Sequence, residues 1–323
     1  MDRTIPRQRA STGTDVPWTG GGGCVRGGRQ RARPHRPTCM HSGSAGPVPK
    51  TRTPGSAAKA HTPPMSTPAP YVPNLRARIW SGDFLVGTWI SFLDPAVTEA
   101  LGGAGFDFLC PDGEHGPIGT PELLAVVVAA RATQTPVLYR VGANEPVRIM
   151  HALDSGAAGV IVPQIRTLAD AERAAAWCRY PPAGLRGVAP RRLSDYGRHA
   201  SAYLAGANDG VVCCLQIETQ EAFDALDAIL AVEGVDALLI GPNDFAASLG
   251  HFDDLASPIV EAAIGEVLAR ATAAGVPVGI WTPTIEVAIA RRAQGFRFVT
   301  VDSDAGFLVA GADATVRAVR SAG

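Results

Sequence analysis

Short, continuously apolar runs alternate with amphipathic segments from residue 84 to the C-terminus. Runs of this kind bounded by turn residues predict buried strands, and the amphipathic segments between them predict helices. The predicted strands are residues 84–92, 106–112, 136–142, 159–165, 211–218, 235–241, 277–282 and 296–302. Thr120, Thr167 and Thr219 are typical of helix starts, and Gly156 and Gly295 of helix ends.

Eight strand–helix units within about 240 residues match the size and rhythm of an α/β protein of the (β/α)8 TIM barrel type. A doubly wound open sheet is the alternative. No GxGxxG motif follows the first predicted strand, which weakens the dinucleotide-binding form of that alternative. One long loop, residues 180–198, interrupts the rhythm, and loops of this length in a compact domain are often functional.

The first part of the chain differs from the rest in composition. Residues 1–64 carry 11 Lys or Arg against two acids and show no apolar periodicity, whereas the remainder has 18 Arg, no Lys and 28 acids. A segment of this kind cannot bury a core. We therefore predict a disordered, basic, Gly/Pro/Arg-rich extension over residues 1–70 and one barrel domain over residues 71–323.

Three interpretations of the basic extension stay open. Its composition fits an organellar transit peptide or a nucleic-acid-binding arm. The stretch that begins at Met65 looks like an ordinary protein start, which favours an upstream segment without a role of its own. No apolar run is long enough for a membrane span. The six cysteines form no CxxC pair, so we expect reduced thiols and a cytoplasmic protein.

Two acids follow neighbouring predicted strands: Glu218 closes the run VVCCLQIE, and Asp244 follows the run VDALLIG. Consecutive parallel strands place their carboxyl ends side by side, and strand alternation puts Gln216 and Glu218 on the inward face. An unpaired buried carboxylate is costly, so such groups are normally paired or bound to a metal. The pattern predicts a site for a divalent cation, Mg²⁺ or Mn²⁺ with Co²⁺ as a further candidate. Zinc is disfavoured because no His–Cys cluster accompanies the acids.

Other groups suited to 2-oxo acid chemistry follow nearby strands. A cation can polarise a keto oxygen and stabilise an enolate. Arg140 offers paired donors to a substrate carboxylate or keto oxygen, and a structural ion pair with Glu114 or Asp112 is the alternative for this residue. His115, in the loop after Asp112, is the natural proton-transfer residue, and a carboxylate such as Asp154 could orient it directly or through water. No lysine occurs beyond Lys59, so the barrel domain cannot form a Schiff base with its substrate.

Five motifs occur in the order LCPDGEHGPIG, ALDSGAAGVIVPQI, RYPPAGLRG, LQIET and LIGPNDFAASLG. Together they resemble the metal-dependent class II pyruvate aldolases of the phosphoenolpyruvate/pyruvate domain superfamily. That family includes the 4-hydroxy-2-oxoheptanedioate and 2-dehydro-3-deoxyglucarate aldolases and is related to the citrate lyase beta subunit. The resemblance covers roughly residues 75–321, and it is specific for the superfamily but weak for the substrate.

The resemblance implies a role for each matching residue. Glu218 and Asp244 would be the metal ligands. His115 would be the base, acting with Asp154 through a metal-associated water. Arg140 would contact the pyruvoyl group of the substrate.

Further roles and the assembly follow from the same resemblance. Gln216 would line the site, Asp112 would support the water molecules on the metal, and we assign Asn243 to substrate binding. Family members are barrels whose last helix packs on a neighbouring subunit, so a homo-oligomer is implied, a hexamer or trimer of dimers. Asp302 and Asp304 also end a strand and are alternative candidates for metal ligands, but we expect them to provide polar closure of the barrel mouth.

The sequence thus predicts a divalent-metal aldolase, a carbon–carbon lyase that cleaves a 4-hydroxy-2-oxo acid to pyruvate and an aldehyde through a metal-stabilised enolate. An enzyme that uses the same enolate with an acyl-CoA, like citrate lyase or citrate synthase, is the nearest alternative. A nucleic-acid-binding protein acting through the basic extension is the alternative of another class, and it leaves the acid, histidine and arginine set unexplained. The identity of the aldehyde, the preferred metal and the stereochemistry do not follow from the sequence.

Overall fold

The computed structural model describes residues 74–321, and the predicted extension over residues 1–70 lies outside this range. The strands are β1 (Leu85–Ile90), β2 (Phe108–Pro111), β3 (Leu138–Arg140), β4 (Gly159–Val162), β5 (Val212–Ile217), β6 (Ala237–Ile240), β7 (Val278–Thr282) and β8 (Phe298–Ser303). The helices are α1 (Leu75–Ser81), α2 (Pro95–Gly103), α3 (Thr120–Ala130), α4 (Pro146–Ser155), α5 (Leu168–Cys178), α6 (Ala200–Gly210), α7 (Gln220–Asp224), α8 (Leu226–Leu230), α9 (Pro242–Ser248), α10 (Pro258–Ala273), α11 (Ile285–Gln294) and α12 (Asp304–Ser321).

The eight strands form one parallel sheet that closes into a barrel. Their order is β2-β1-β8-β7-β6-β5-β4-β3. Parallel bridges from Leu109 to Val137 and from Asp112 to Arg140 join β2 to β3 and complete the ring. Every predicted strand is present, and the predicted (β/α)8 barrel is confirmed.

Two layers of buried side chains follow from strand alternation. On β5, Val212 and Cys214 belong to the cluster inside the barrel. Cys213, Leu215 and Ile217, which alternate with them, belong to the larger cluster between the strands and the helices. The inward face predicted for β5 is therefore confirmed, and it directs Gln216 and Glu218 towards the barrel mouth.

Helix α1 closes the barrel at the amino ends of the strands. Its Leu75 and Ile79 are buried in the interior cluster. Arg76 of α1 pairs with the buried carboxylate of Asp236, which precedes β6, at 2.7 Å. The functional end of the barrel is consequently the opposite one, where the carboxyl ends of the strands meet.

The helix boundaries follow the predicted capping residues except at α3, where Gly119 is the N-cap and Thr120 is the first residue of the helix. Thr167 and Thr219 accept hydrogen bonds from the first turns of α5 and α7, and Gly156 and Gly295 end α4 and α11 in the left-handed conformation. The long loop predicted between the fourth and fifth units leads into α6, a helix that the sequence pattern did not reveal. Between residues 74 and 321, no helix combines the length and apolar character that crossing a membrane requires.

Candidate active site

A cavity of about 360 Å³ opens at the carboxyl ends of the strands. Its walls come from the ends of β1, β2, β3, β5, β6, β7 and β8. The lining residues are Trp89, Ser91, Asp112, His115, Arg140, Gln216, Leu239, Ile240, Gly241, Pro242, Asn243, Asp244, Trp281, Asp302 and Ser303. Six residues predicted for the site are among them, and Glu218 lies directly behind Gln216.

Glu218 is a buried carboxylate without a cationic partner. It follows β5 and is 1% exposed. Its Oε1 accepts a hydrogen bond from the backbone N–H of Gln164 at 2.7 Å, and its Oε2 accepts one from Nε2 of Gln216. Burial, together with the negative charges of Glu114 and Asp244, raises the pKa of Glu218 to about 7. No Arg or His within the described range forms an ion pair with it, and a buried carboxylate in that condition is costly.

Asp244 reaches the cavity because the chain turns tightly after β6. It lies in the first turn of α9, where the helix dipole favours a carboxylate. Gly241, the residue before that helix, passes so close to Glu218 that a Cβ atom would lie 3.1 Å from its Oε2. In the described part of the chain, no hydrogen bond or cation engages the Asp244 carboxylate. Its charge contributes to the raised pKa of Glu218.

Arg140 is held rigidly at the end of β3. Its Nε and Nη2 donate to the two carboxylate oxygens of Asp112 at 2.9 and 2.7 Å, and its Nη1 lies 3.1 Å from Glu114. The guanidinium also stacks on the ring of Trp89, 4.4 Å from the centroid. Burial opposes ionisation of Asp112, but the Arg140 guanidinium outweighs it and lowers the pKa of Asp112. The arginine keeps two unused N–H groups for a ligand in the cavity.

His115 projects from the loop between β2 and α3. Oδ1 of Asp112 accepts hydrogen bonds from the backbone N–H groups of Glu114 and His115, at 3.0 and 3.2 Å, which fixes the loop. The His115 ring is 63% exposed, and its Nε2 lies 3.9 Å from Glu114. Asp112 thus fixes both the Arg140 side chain and the loop that carries His115. Glu114 is the carboxylate that lies beside His115.

The structure does not bring Asp154 to this cavity within one chain. Asp154 is near the end of α4, a helix that runs from the mouth of the barrel towards the opposite end. Its carboxylate pairs with Nη2 of the buried Arg186 at 2.6 Å. The proposed contact between Asp154 and His115 is therefore absent in the single chain, because helix α4 carries the two residues apart.

Sequence reasoning missed part of the cavity wall. Trp89 and Trp281, which also belong to or pack against the interior cluster, line the cavity, as do Ser91 and Ser303. Each tryptophan is the second-to-last residue of its strand, β1 or β7, at a position whose side chain points into the barrel. Strand alternation is therefore the sequence signal that could have revealed both. Asp302 was expected only to close the mouth, and it also faces the cavity.

The donor set fits a hard divalent cation. Glu218 and Asp244 supply two carboxylates, and Oε1 of Gln216 is a buried oxygen without a hydrogen-bond partner. Among residues 74–321, no three His, Cys, Asp or Glu side chains converge in a protein-enclosed metal site. Two carboxylates completed by water suit Mg²⁺ or Mn²⁺, because these ions retain several water ligands in proteins.

Comparisons with known proteins agree with this geometry. The family model described as HpcH/HpaI aldolase/citrate lyase matches residues 85–310. A 5-keto-4-deoxy-D-glucarate aldolase of Shigella dysenteriae is 39% identical over 221 residues, which span 68% of this chain and 86% of that protein.

Solved structures share the fold. A crystal structure of an HpcH/HpaI aldolase/citrate lyase family protein from Burkholderia cenocepacia has a TM-score of 0.73 at 37% identity, covering 76% of this chain and 98% of that chain. The crystal structure of the citrate synthase SbnG has a TM-score of 0.70 at 27% identity, covering 77% and 98% of the two chains. The family resemblance found in the sequence motifs is confirmed.

Proposed function

Because the chain belongs to the HpcH/HpaI aldolase/citrate lyase family, we propose that it is a divalent-metal aldolase that cleaves a 4-hydroxy-2-oxo acid to pyruvate and an aldehyde. The observation that carries the proposal is the buried carboxylate of Glu218, which has no ion-pair partner in the described chain and lies within electrostatic reach of Asp244, at the wall of a cavity that Asp244 and Arg140 line. The 5-keto-4-deoxy-D-glucarate aldolase from Shigella supports this reaction class.

The cation would be held by Glu218 and Asp244, with water completing its coordination. When bound, it supplies positive charge that polarises the 2-oxo group and stabilises the negative charge formed during cleavage. The described domain contains no lysine, so a Schiff base cannot take over this role.

Arg140 binds and orients the 2-oxo acid. Arg140 lines the cavity, while Asp112, Glu114 and Trp89 hold its guanidinium in place. A donor that is fixed before the substrate arrives loses little conformational entropy on binding. Gln216 and Asn243 complete the polar wall around the same end of the substrate.

His115 moves the proton. In the cleavage direction its imidazole accepts the proton of the C4 hydroxyl while the C3–C4 bond breaks, which releases the aldehyde and leaves the enolate of pyruvate. Protonation of that enolate at C3 gives pyruvate. Exposure of His115 at the mouth allows its proton to exchange with water. Asp154 could take part only from a second copy of the chain, because its own helix carries it away from the cavity.

We also propose that the chain forms a homo-oligomer through α12. Only the first turn of this helix packs on the barrel, where Phe307 stacks on Phe106 at 6.1 Å between centroids. Further along, Leu308, Val316 and Val319 are 46–72% exposed on one face. A helix with an unpartnered apolar face normally buries it. The motif resemblance, in which the last helix packs on a neighbouring subunit, gives the partner as a second copy.

A lyase or synthase that uses an acyl-CoA remains the second candidate, and the similarity to the citrate synthase SbnG favours it. Both candidates need the same carboxylates and arginine, so the geometry does not separate them. A requirement for CoA does. The aldolase should release pyruvate from a 4-hydroxy-2-oxo acid in the absence of any CoA compound.

A pyruvate-release assay tests the proposal. Several 4-hydroxy-2-oxo acids, among them 5-keto-4-deoxy-D-glucarate, are offered to chelated protein with and without Mg²⁺, Mn²⁺ or Co²⁺. We expect pyruvate only when a metal is present. Full turnover by exhaustively chelated protein would overturn the metal dependence, and no pyruvate from any substrate with any metal would overturn the aldolase assignment.

A further inference from the structure

We propose that Arg186 is a positioning residue for proton transfer: it holds the carboxylate of Asp154 so that the second oxygen of this carboxylate contacts the imidazole of His115 in the cavity of another copy of the chain. This inference rests on the proposed aldolase function and on the proposed homo-oligomer. It gives a role to the motif RYPPAGLRG, residues 179–187, which contributes no residue to the cavity wall.

The backbone of this motif is fixed against the end of helix α5. The backbone N–H of Leu185 donates to the carbonyl oxygen of Ala176 at 2.7 Å. The backbone N–H of Arg186 donates to the carbonyl oxygen of Arg179 at 2.8 Å. Gly184 lies so close to the helix end that a Cβ atom there would overlap the Ala176 carbonyl oxygen. The main chain thus sets the point from which the Arg186 side chain extends.

The Arg186 side chain has one strong interaction, and it is with Asp154. The side chain is 1% exposed, and its Nη2 donates to Oδ1 of Asp154 at 2.6 Å. Its guanidinium lies over the Tyr180 ring, 4.4 Å from the centroid. Its Nε and Nη1 are buried and have no hydrogen-bond partner in the described chain. Burying an arginine with unpaired donors is costly, so the pair with Asp154 is the feature that explains an arginine here.

Asp154 occupies a position that is unfavourable for a carboxylate without such a partner. It is the second-to-last residue of α4, where the helix dipole opposes a negative charge. Its side chain is 24% exposed, and its Oδ2 accepts no hydrogen bond from the residues that the structure describes. Arg186 therefore fixes one oxygen from the inside, and the other oxygen stays accessible at the surface.

His115 offers the complementary half of this contact. Its ring is 63% exposed at the barrel mouth, and the Glu114 carboxylate beside it lies 3.9 Å from Nε2, beyond hydrogen-bond distance. Glu114 is itself held by Arg140 at 3.1 Å. Helix α4 keeps Asp154 away from His115 in one chain. A second copy that presents the end of its α4 to the mouth would bring the two groups together.

Such a contact serves the proton transfer in a defined way. The free oxygen of Asp154 accepts the N–H of one imidazole nitrogen of His115. The other nitrogen then takes the proton of the C4 hydroxyl while the C3–C4 bond breaks, and the carboxylate stabilises the imidazolium that forms. Because this effect depends on the direction of the carboxylate, the residue that fixes that direction should affect turnover more than substrate binding.

A double-mutant cycle tests whether Arg186 acts through Asp154. Pyruvate release is measured with Mg²⁺ and the 4-hydroxy-2-oxo acid that wild type cleaves best, for the full chain carrying Arg186→Gln, Asp154→Asn or both. We expect each single variant to lower kcat about 10- to 100-fold with KM within about threefold, and the double variant to be no slower than Asp154→Asn. Effects on kcat that multiply in the double variant would overturn the inference.

Arg192→Gln is the matched control. Arg192 belongs to the same loop and donates from Nη1 to the backbone carbonyl oxygen of Ser155 at 2.8 Å, next to Asp154 but not to its carboxylate. Its replacement should leave kcat within about twofold of wild type. Equal losses of kcat in Arg192→Gln and Arg186→Gln would leave Arg186 a structural role only. If Arg186→Gln impairs folding, Arg186→Lys takes its place in the cycle, because lysine keeps the charge but loses the planar fork of donors.

Mixed oligomers test the second copy directly. His115→Ala and Arg186→Gln chains, each slow alone, are coexpressed with different tags and purified through both. Some cavities then combine an intact His115 with an intact Asp154–Arg186 pair from the neighbouring chain, and we expect about a quarter of the wild-type kcat per chain. Activity no higher than the mean of the two separate variants, or an active wild-type chain that is monomeric, would overturn the inference. Absence of pyruvate from wild type with any substrate and metal would instead overturn the proposed function.

Discussion

Glu218 and Arg140 stand two strands apart at the mouth of the barrel, and their charges are balanced in opposite ways. Three groups, Asp112, Glu114 and the Trp89 ring, surround the arginine, whereas only two uncharged donors reach the buried glutamate. A buried carboxylate without a partner reduces stability unless a cation joins it. Arg140 is thus fixed before a substrate binds, whereas Glu218 belongs to a cation site that needs the cation to balance its charge.

Stability of the metal-free protein should depend on pH through Glu218. Its pKa in the folded state is about 7, above the ordinary value of about 4.3 in an unfolded chain. The folded state therefore binds the proton more tightly, and this contribution is fully present below about pH 4 and lost as the pH rises through 7. We expect the free energy of unfolding of wild type, relative to Glu218→Gln, to fall by about 3 kcal/mol between pH 4 and 8. Urea denaturation of the two chelated proteins measures this. If their free energies of unfolding change equally with pH, Glu218 does not bind this proton.

Substrate binding should be sensitive to the shape of Arg140 as well as its charge. Arg140→Lys keeps the positive charge but loses the two-point pairing with Asp112 and the fixed fork of donors. We expect KM for the 2-oxo acid to rise about 10- to 100-fold. Steady-state kinetics measure it.

Arg291→Lys is the matched control for this substitution. Arg291 makes a similar two-point pair with Glu261, at 2.7 and 2.6 Å, outside the cavity. Its replacement should lower stability and leave KM unchanged. Equal effects of the two substitutions on KM would assign Arg140 a structural role only.

The inward direction of Gln216 and Glu218 was predictable because strand alternation fixes it locally. An ion pair of Arg140 with Asp112 or Glu114 was the alternative that the sequence left open, and the structure shows both pairs. The exact geometry of these pairs depends on how the loop after β2 folds back on β3. Asp154 shows most clearly that a sequence motif does not fix where a residue lies in the fold. A motif places it in sequence, but helix α4 places it at the far end of the barrel, paired with Arg186.

At the scale of elements, periodicity revealed the strands and the long helices, while short or irregular helices escaped it. Helix α1 has only seven residues and buries just Leu75 and Ile79, too few positions for a recognisable pattern. Helix α6 follows a loop rich in Pro, Gly and Arg and was hidden by it. Leu75 and Ile79 of α1 pack in the barrel interior, and Tyr203 and Ala207 of α6 pack with Tyr180. No local sequence signal records that packing.

Helix α12 should hold the assembly together. Leu308→Glu with Val319→Glu places two charges on its exposed apolar face, where burial against a second copy would make them costly. We expect this double variant to sediment as a smaller species than wild type in analytical ultracentrifugation. Arg317→Glu, on the opposite face of the same helix, should not change the sedimentation. Identical oligomeric states in the double variant and wild type would refute a role for this face.

For the whole molecule, every cavity residue in the described part of the chain comes from the barrel. All cavity residues lie between Trp89 and Ser303, within the span that the family model matches. The barrel could be predicted from sequence because eight repeated units leave few other topologies. The nature of the aldehyde could not, because it depends on side chains that several distant strands bring together.

Deleting residues 1–64 should leave catalysis unchanged. We expect pyruvate release by the shortened chain to stay within about twofold of the full chain, since the whole candidate site lies in the barrel. Loss of activity would show that the segment supports the enzyme. Salt-sensitive nucleic-acid binding that the full chain shows and the shortened chain lacks would support the alternative role of the segment.

Direct measurement of cation binding is the most stringent test of the two-carboxylate site. Chelated wild-type protein is titrated with Mn²⁺, and the free ion is followed by electron paramagnetic resonance. We expect one Mn²⁺ per chain, displaced by Mg²⁺, and binding weakened at least about tenfold in Glu218→Gln and in Asp244→Asn, with Asp83→Asn as the unaffected control. Unchanged Mn²⁺ affinity in both site variants would contradict the assignment of these carboxylates as the metal ligands.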